Sequence, residues 1–375
     1  VARYFLYGMF CHPPLLRVVL GRDASTTPAR LPRHRVVRAP EGSCPLIVPA
    51  PAAQAEGLLI EASAEEAGRL DYLAGAFGLG PRTADVTDAA GAVRRARVHF
   101  PFATATAAAA QGPAFSLADW AARWGAATTR AAGEAMALHG RIDAGALARR
   151  WPMAMARAAS ALRAEAEDAP AGLRRSPAPG DIAVDSAAYP YAGFFAVEEA
   201  ELRFRRFDGA MSAPVRRAGF VMSDAVTVLP YDPARDRVLV VEQFRAGPWM
   251  RGDPNPWTIE PVAGRIDPGE DAEQAARRET REEAGLELGR LEALPAHYPS
   301  PGAVTEFLYC YVGLADLPDE AAGIGGLDGE GEDIRGHLLD FAALMAAIEG
   351  GAVRNGPLIL SALWLAGARE RLRTG

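Results

Sequence analysis

Hydrophobic and polar positions change rhythm three times along this chain. From residue 1 to about residue 101 the apolar runs are short and separated by Gly and Pro. "RYFLYGMF", "HRVVRA", "EGLLIEA" and "RRARVHFP" therefore read as strands. Two segments between them have helical spacing instead. "PPLLRVVLG" opens on proline, and "SAEEAGRLDYLAG" carries Ser63 as its N-cap and stops near Gly75. From Ser116 to about Glu167 the apolar positions recur every three or four residues, which predicts helices, the first capped by Ser116. "DAPAGLRRSPAPGD" then reads as a linker. After Ile182 strands return: "GFVMSDAVTVLPYDPARDRVLVVEQFR" is two apolar runs around "YDPARD", a turn by composition. "FLYCYVGL" is a further strand, and "GPLILSALWLAGARERLR" an amphipathic helix. "ATATAAAAQG" around Ala107 reads as a loop or a helix start.

A chain of 375 residues is long for a single core, so two domains are expected. The changes of rhythm divide it into a strand-rich domain at 1–115, a helical extension at 116–168, a linker at 169–181 and a second domain at 182–375.

Composition narrows the chemistry. A hydrophobic content of 49% with 23% charged residues describes a soluble globular protein. The net charge of −7 gives no electrostatic footprint for nucleic acid or an anionic membrane, so neither is expected as a partner. All 40 cationic side chains are Arg, which excludes a Schiff-base lysine and a P-loop lysine. Cys11, Cys44 and Cys310 form no C-x-x-C pair, and the six His have no metal-ligand spacing. Buried free thiols in a reducing, cytoplasmic compartment are the expectation. "VARYFLYGMFCHPP" lacks the charged start and the cleavage site of a signal peptide, and no apolar run is long enough to span a bilayer.

The densest chemistry lies in "GRIDPGEDAEQAARRETREEAG", Gly264 to Gly285. Asp271 with Gln274 resembles a capping box, and Gly285 suits the position just past the helix end. Glu279 and Glu283 are four apart, so their carboxylates project from one face, roughly 5–6 Å apart at Cβ. Like charges at that spacing repel mildly in water. A divalent cation between them reverses the sign, because hard cations such as Mg²⁺ take oxygen ligands and phosphates complete the shell. An acidic helix with salt bridges to its own Arg residues is the plainer reading of E-x-x-E-E alone.

The full spacing goes further. Gly264, Glu270, Arg278-Glu279, Glu282-Glu283, Gly285 and Leu286 resemble the Nudix box, G-x5-E-x7-R-E-U-x-E-E-x-G-U, where U is bulky and apolar. All six fixed positions after the first Gly match, an alignment that chance produces at one start on the order of once in a hundred million. Thr280 departs from the pattern at the first U, a position that packs and does not coordinate. The resemblance implies an α/β (α+β) fold with a C-terminal α/β/α sandwich around a mixed sheet. It implies hydrolysis of a nucleoside diphosphate derivative with Mg²⁺, or Mn²⁺ in its place. Metals neutralise the diphosphate charge and make water easier to deprotonate, and a carboxylate takes the proton.

The flanks are similar to bacterial ADP-ribose pyrophosphatases from about Tyr191 onward: "YAGFFAVEEAELRFRRFDGAMSAPVRRAGF", "VLPYDPARDRVLVVEQFR", "NPWTIEPVAGRIDPGE", "YPSPGAVTEFLYCYVG", "DGEGEDIRGHLL" and "GPLILSALWLA". That resemblance implies ADP-ribose as substrate, cleaved to AMP and ribose 5-phosphate. It implies metal ligands at Ala263 (by its carbonyl), Glu279, Glu283 and Glu332, with Glu282 close by among the catalytic residues and Glu330 as the base. It assigns Arg245 to phosphate, Arg217 to the adenosine side, Phe194 to the neighbourhood of adenine and Glu306 to ribose. It leaves Gly264, Glu270, Arg278 and Gly285 as structural members of the motif, and it implies a homodimer. Another nucleoside diphosphate derivative, such as NADH or a nucleotide sugar, is the rival substrate. A non-catalytic ADP-ribose sensor is the rival class, and the intact glutamate set argues against it.

The first domain resembles γ-glutamylcyclotransferase-like proteins, a small β-barrel with helices. "FLYGMF", "PPLLRVVLGR" and "EGLLIEASAEEAGRLDYLAG" carry the likeness. That family places a catalytic glutamate in a segment like "LD-x-x-E-G"; here "LDYLAG" has Ala74 instead. A non-catalytic relative is therefore expected, since alanine moves no proton. The pairing of the two domains resembles tellurite-resistance proteins of the TrgB type.

Overall fold

The computed structural model of the chain describes residues 1–39, 44–102, 112–167, 172–325 and 333–374. It divides into two compact units, Val1–Ala218 and Gly219–Gly375.

In the first unit five strands close a barrel in the order β1-β3-β2-β4-β5: β1 Ala2–Leu6, β2 Thr27–Arg38, β3 Pro45–Ala62, β4 Leu79–Asp88 and β5 Val93–Pro101. The closure is a short parallel pairing of β1 with β5, Tyr4 beside Arg97 and Phe5 beside Val98. Side chains alternate along β1. Phe5 and Tyr7 point into the barrel with Leu31, Ile47, Val86 and Val98, while Tyr4 and Leu6 pack outward under the helices. The apolar run "RYFLYGMF" is therefore strand only to Leu6. Gly8 turns left-handed at φ +59, and Gly8–Cys11 forms a 3-10 turn.

Helices cover the outer face of the barrel. They are α1 Pro13–Leu20, α2 Ala64–Ala76, α3 Leu117–Trp120, α4 Ala126–Leu138 and α5 Ala144–Ala166. The cap at Ser63 is a full capping box: Ser63 Oγ accepts from the Glu66 amide at 3.2 Å, and the Ser63 amide donates back to Glu66 at 2.7 Å. Ser116 likewise accepts from the Asp119 amide. Three more strands form a separate sheet, β6 Ile182–Ala192, β7 Ala196–Phe204 and β8 Val215–Val221. The "ATATAAAAQG" stretch falls mostly outside the described residues.

The second unit is built on a mixed sheet. Its strands are β9 Ala225–Asp232, β10 Arg237–Phe244, β11 Trp257–Glu260, β12 Val262–Arg265, β13 Leu291–Ala293, β14 Leu308–Leu314, β15 Ile324–Gly325 and β16 Ile334–Asp340. Among the described residues the order is β13-β14-β9-β10-β16-β15, with β14 parallel to β9. The "YDPARD" turn joins β9 to β10 as expected. The two strands pair only next to that turn, at Arg237–Asp232 and Val238–Tyr231. Beyond it they diverge, β12 pairing with β9 and β11 with β10. That split seats Ala263 beside Thr227 and Glu260 beside Val241.

Four helices belong to this unit: α6 Ala246–Arg251, α7 Ala272–Ala284, α8 Phe341–Glu349 and α9 Gly356–Thr374. The period of two along β9 and β10 sorts residues between two cores. Val226, Val228, Leu239 and Val241 meet Ala275 and Ala276 of α7. Tyr231, Val238 and Val240 meet Phe341, Leu344, Leu358 and Leu365 of α8 and α9. Helices on both faces of a mixed sheet make the α/β/α sandwich that the sequence implied. No helix among the described residues is long and apolar enough to cross a membrane.

Candidate active site

The carboxylates of α7 are held by how the helix begins, packs and ends. Asp271 accepts from the Gln274 amide at 2.8 Å, and the Asp271 amide donates to Gln274 Oε1 at 3.0 Å. At the other end Gly285, at φ +64, closes the helix onto the Arg281 and Thr280 carbonyls. Thr280, the departure from the motif, is fully buried, and its hydroxyl donates to the Ala276 carbonyl at 2.8 Å. A bulky apolar position is thereby filled by a small residue whose polar atom is satisfied inside the helix.

Arg278 is the organising cation. It donates to both oxygens of Glu270 at 2.9 Å, to Glu279 at 2.7 Å, to Glu282 at 3.0 Å and to the Arg265 carbonyl at 3.0 Å. Its hydrogen bonds hold the Glu270 carboxyl below its usual range and push its own pKa up. Glu283, nearly buried, accepts from the Ala263 amide at 3.3 Å. Gly264 explains itself here: a Cβ at that position would run into the Glu279 carboxyl group. Near the helix end, a Cβ at Gly325 would run into the Glu283 backbone carbonyl. The two glycines let β12 and β15 approach α7 closely.

A second polar group lies at the end of β10 and on β11. Arg245 forks onto Glu260, Nε at 3.0 and 3.1 Å and Nη2 at 2.7 Å, and the Thr258 hydroxyl also donates to Glu260. Glu260 is 5% exposed, and these donors satisfy its buried oxygens. Burial pushes the Glu306 carboxyl up, with Arg245 opposing and Asp224 adding to the rise. Residues 300–306 are fixed to the start of the unit: the Phe220 amide donates to the Ala303 carbonyl, the Thr305 amide to the Phe220 carbonyl, and the Met222 amide to Thr305 Oγ1.

The second unit thus brings together Ala263, Gly264, Glu270, Arg278, Glu279, Glu282, Glu283 and Gly285, with Arg245 just past the end of β10 and Glu306 in the loop before β14. Phe194 and Arg217 belong to the first unit. Phe194 is half-exposed, its ring edge-on to Phe195 at 4.9 Å, and its carbonyl accepts from Arg157 at 3.2 Å. Arg217 is exposed and donates to the Arg216 carbonyl at 2.9 Å. Glu330 and Glu332 lie outside the described residues. Sequence reasoning did not single out Glu260 or Gln243. They lie in "WTIEPVAG" and "EQFR", and the signal was their place on the alternating strand face next to Arg245.

Do these residues fit a divalent cation? Among the described residues no three His, Cys, Asp or Glu side chains converge on one point. The reason is visible: Arg278 draws on Glu279 and Glu282, and the Ala263 amide takes Glu283. The donor set itself is hard oxygen, two carboxylates on one helix face beside the β12 backbone at Ala263, and that chemistry suits Mg²⁺ or Mn²⁺. Glycine at 264 keeps the Glu279 carboxyl in place beside it.

In the first unit, Ala74 is fully buried and no carboxylate stands in its place. One turn earlier on α2, Asp71 is engaged by His99 Nε2 at 2.7 Å and by the Tyr4 hydroxyl at 3.0 Å, with Arg97 donating to Tyr4 at 2.9 Å. A half-open cleft of about 630 Å³ lies beside Gly8, among Arg35, Gln54, Glu56, Phe115 and Leu117; Ala74 does not line it. The three cysteines are free, and burial pushes Cys11 and Cys44 up to about 12, so both are neutral thiols.

An α/β/α sandwich that presents this glutamate helix against a glycine strand defines a Nudix domain. The NUDIX domain family matches residues 222–359, and the AIG2-like γ-glutamyl cyclotransferase family matches residues 4–122. The chain belongs to the Nudix hydrolases, and it carries an AIG2-like domain ahead of the Nudix domain. Among relatives, the ADP-ribose pyrophosphatase of Escherichia coli K12 is 37% identical over 185 residues, 49% of this chain and 88% of that protein. The ADP-ribose pyrophosphatase of Haemophilus influenzae is 33% identical over 177 residues, 47% of this chain and 81% of that protein. A GDP-mannose pyrophosphatase of Escherichia coli O1:K1 is 31% identical over 145 residues, 39% of this chain and 74% of that protein.

Proposed function

We propose that this Nudix hydrolase cleaves the diphosphate of ADP-ribose with water, giving AMP and ribose 5-phosphate, with Mg²⁺ as its cofactor and Mn²⁺ as the alternative. The observation that carries the reading is Glu279 and Glu283 on one face of α7 against Ala263 and Gly264, in a stretch of 185 residues 37% identical to an ADP-ribose pyrophosphatase.

Glu279, Glu283, Glu332 and the Ala263 carbonyl would hold the cation. When bound, the cation offsets the diphosphate charge that repels a nucleophile. The chain's own groups do the rest. Arg278 fixes the direction of Glu279 and Glu282 and ties α7 to Glu270. Glu330 is the base that takes a proton from the attacking water, with Glu282 beside the reacting group. Arg245, steadied by Glu260, presents a cation to a phosphoryl group. Glu306 accepts from ribose hydroxyls, Arg217 serves the adenosine side and Phe194 the adenine. The active protein would be a homodimer in the cytoplasm.

The similarity to a GDP-mannose pyrophosphatase supports a second reading, a nucleotide-sugar substrate at the same site. A panel of ADP-ribose, NADH and GDP-mannose with Mg²⁺, resolved by product chromatography, separates the two. AMP from ADP-ribose at the highest kcat/KM supports the first reading. Preferential cleavage of GDP-mannose or NADH would replace it.

A further inference from the structure

A buried hydrogen-bond donor with no acceptor is costly, so native proteins seldom keep one without a use. Gln243 is such a donor. It lies on β10 and is 7% exposed, and its Nε2 has no partner among the described residues. Its direction follows from register. Val241, two residues earlier, packs in the core beneath α7, and cross-strand partners share a face. Gln243 is paired with Thr258 on β11 and with Ile334 on β16, and Ile334 is in that same core. The amide therefore sits on the α7 side of the sheet, between Thr258 of β11 and Ile334 of β16.

Its polar neighbours are committed elsewhere. Thr258 and Arg245 both donate to Glu260. The remaining neighbours, Val241 and Ile334, are fully buried hydrocarbon. Among the described residues, Gln243 Nε2 has no acceptor. Arg245, two residues on and still extended at φ −123, adds a positive charge beside it. A phosphoryl oxygen of a nucleoside diphosphate only accepts and carries negative charge, so it suits both the free amide donor and the Arg245 guanidinium.

We infer that Gln243 is a substrate-contacting residue whose side-chain amide donates a hydrogen bond to a non-bridging oxygen of the bound nucleoside diphosphate. The inference rests on the Nudix hydrolase reading of the site and not on which nucleoside diphosphate is hydrolysed. A neutral amide suits this role, because it orients the phosphoryl group without competing with the cation for its charge.

The test uses the full chain with Gln243→Met, similar in length and without a donor, and Gln243→Glu, similar in shape and negatively charged. Melting temperature without ligand, the rise in melting temperature on adding ADP, and kcat and KM are measured for each. For Gln243→Met we expect an unliganded melting temperature equal to or above that of the wild type, because an unmade buried donor has been removed. We expect a smaller ADP-induced rise, and kcat/KM lower by about tenfold on every nucleoside diphosphate the wild type cleaves. Gln243→Glu should lose more, since its carboxylate repels the diphosphate. A Gln243→Met protein that melts lower but responds to ADP and turns over like the wild type would make the amide structural and overturn the inference. Should the wild type ignore ADP-ribose but cleave another diphosphate, the substrate proposal fails while the Gln243 comparison proceeds on that substrate. Should it cleave none, the ADP-induced shift alone decides, and equal shifts in wild type and Gln243→Met reject the contact.

Discussion

Gly264 shows how a single missing atom group can carry function. Its backbone is an ordinary strand, so alanine there costs no conformational strain and gains a little against chain entropy. The added Cβ would nevertheless meet the Glu279 carboxyl group. Gly264→Ala is expected to fold normally and to lose about ten- to a hundredfold in kcat, the range for disturbing the support of a metal ligand. The loss should be partly recovered at high Mg²⁺. Circular dichroism melts and a Mg²⁺ titration of the rate check this, and an unchanged rate would mean that Glu279 can move aside freely. The charges and glycines of this site were legible in the sequence because the motif fixes both type and spacing. The Arg278 network was not, since one guanidinium serving Glu270, Glu279 and Glu282 depends on side-chain packing that spacing alone leaves open. Gln243 and Glu260 were missed for a related reason: each shares its short strand with another polar residue, Glu242 or Thr258, and residue type alone does not say which one joins the site.

Among the elements, the β9–β10 turn and α9 depend on one another. Asp236 stands in the turn at φ +55, a left-handed conformation that Asp and Asn tolerate best among side-chain-bearing residues. Its carboxylate accepts from the Tyr231 hydroxyl at 2.9 Å, Arg369 Nε at 2.6 Å and Arg373 Nη1 at 2.6 Å. The Arg369 hydrogen bond, first of all, holds its pKa down at about 2. A depressed carboxylate stabilises the fold above its unfolded value of about 3.9, and the contribution is lost as pH falls toward 2. Asp236→Asn keeps the turn and removes the charge. It should lower the melting temperature at pH 7 and flatten its fall between about pH 4 and 2. Parallel curves for variant and wild type would show that the ion pairs add nothing. Strand and helix types at this scale followed the hydrophobic period, and the caps at Ser63, Ser116 and Asp271 were each readable from residue type. The end of β1 at Leu6 was not, because the apolar run continues through a glycine turn into a 3-10 segment.

At the scale of the whole chain, two domains of different family share one polypeptide. The first keeps the barrel and the Gly8 turn but has fully buried Ala74 where the family resemblance calls for glutamate. Asp71, the nearest carboxylate on that helix, is already bonded to His99 and Tyr4. Forming 5-oxoproline from a γ-glutamyl amine needs a base at the attacking nitrogen, and such help is worth about 10²–10⁴-fold. The full chain is therefore expected to release no 5-oxoproline from γ-glutamyl amino acids above a buffer blank. Release that disappears in Asp71→Asn would identify a substitute base and contradict this. The account's central claim sits in the other domain, where the α7 carboxylates are taken to support hydrolysis. The most direct measurement is the initial rate of AMP formation from ADP-ribose and Mg²⁺ by wild type and by Glu283→Gln, which keeps size and removes the charge. The account predicts AMP from the wild type, none without divalent metal, and a rate lower by about a hundredfold or more in the variant; near-normal turnover in Glu283→Gln would contradict it.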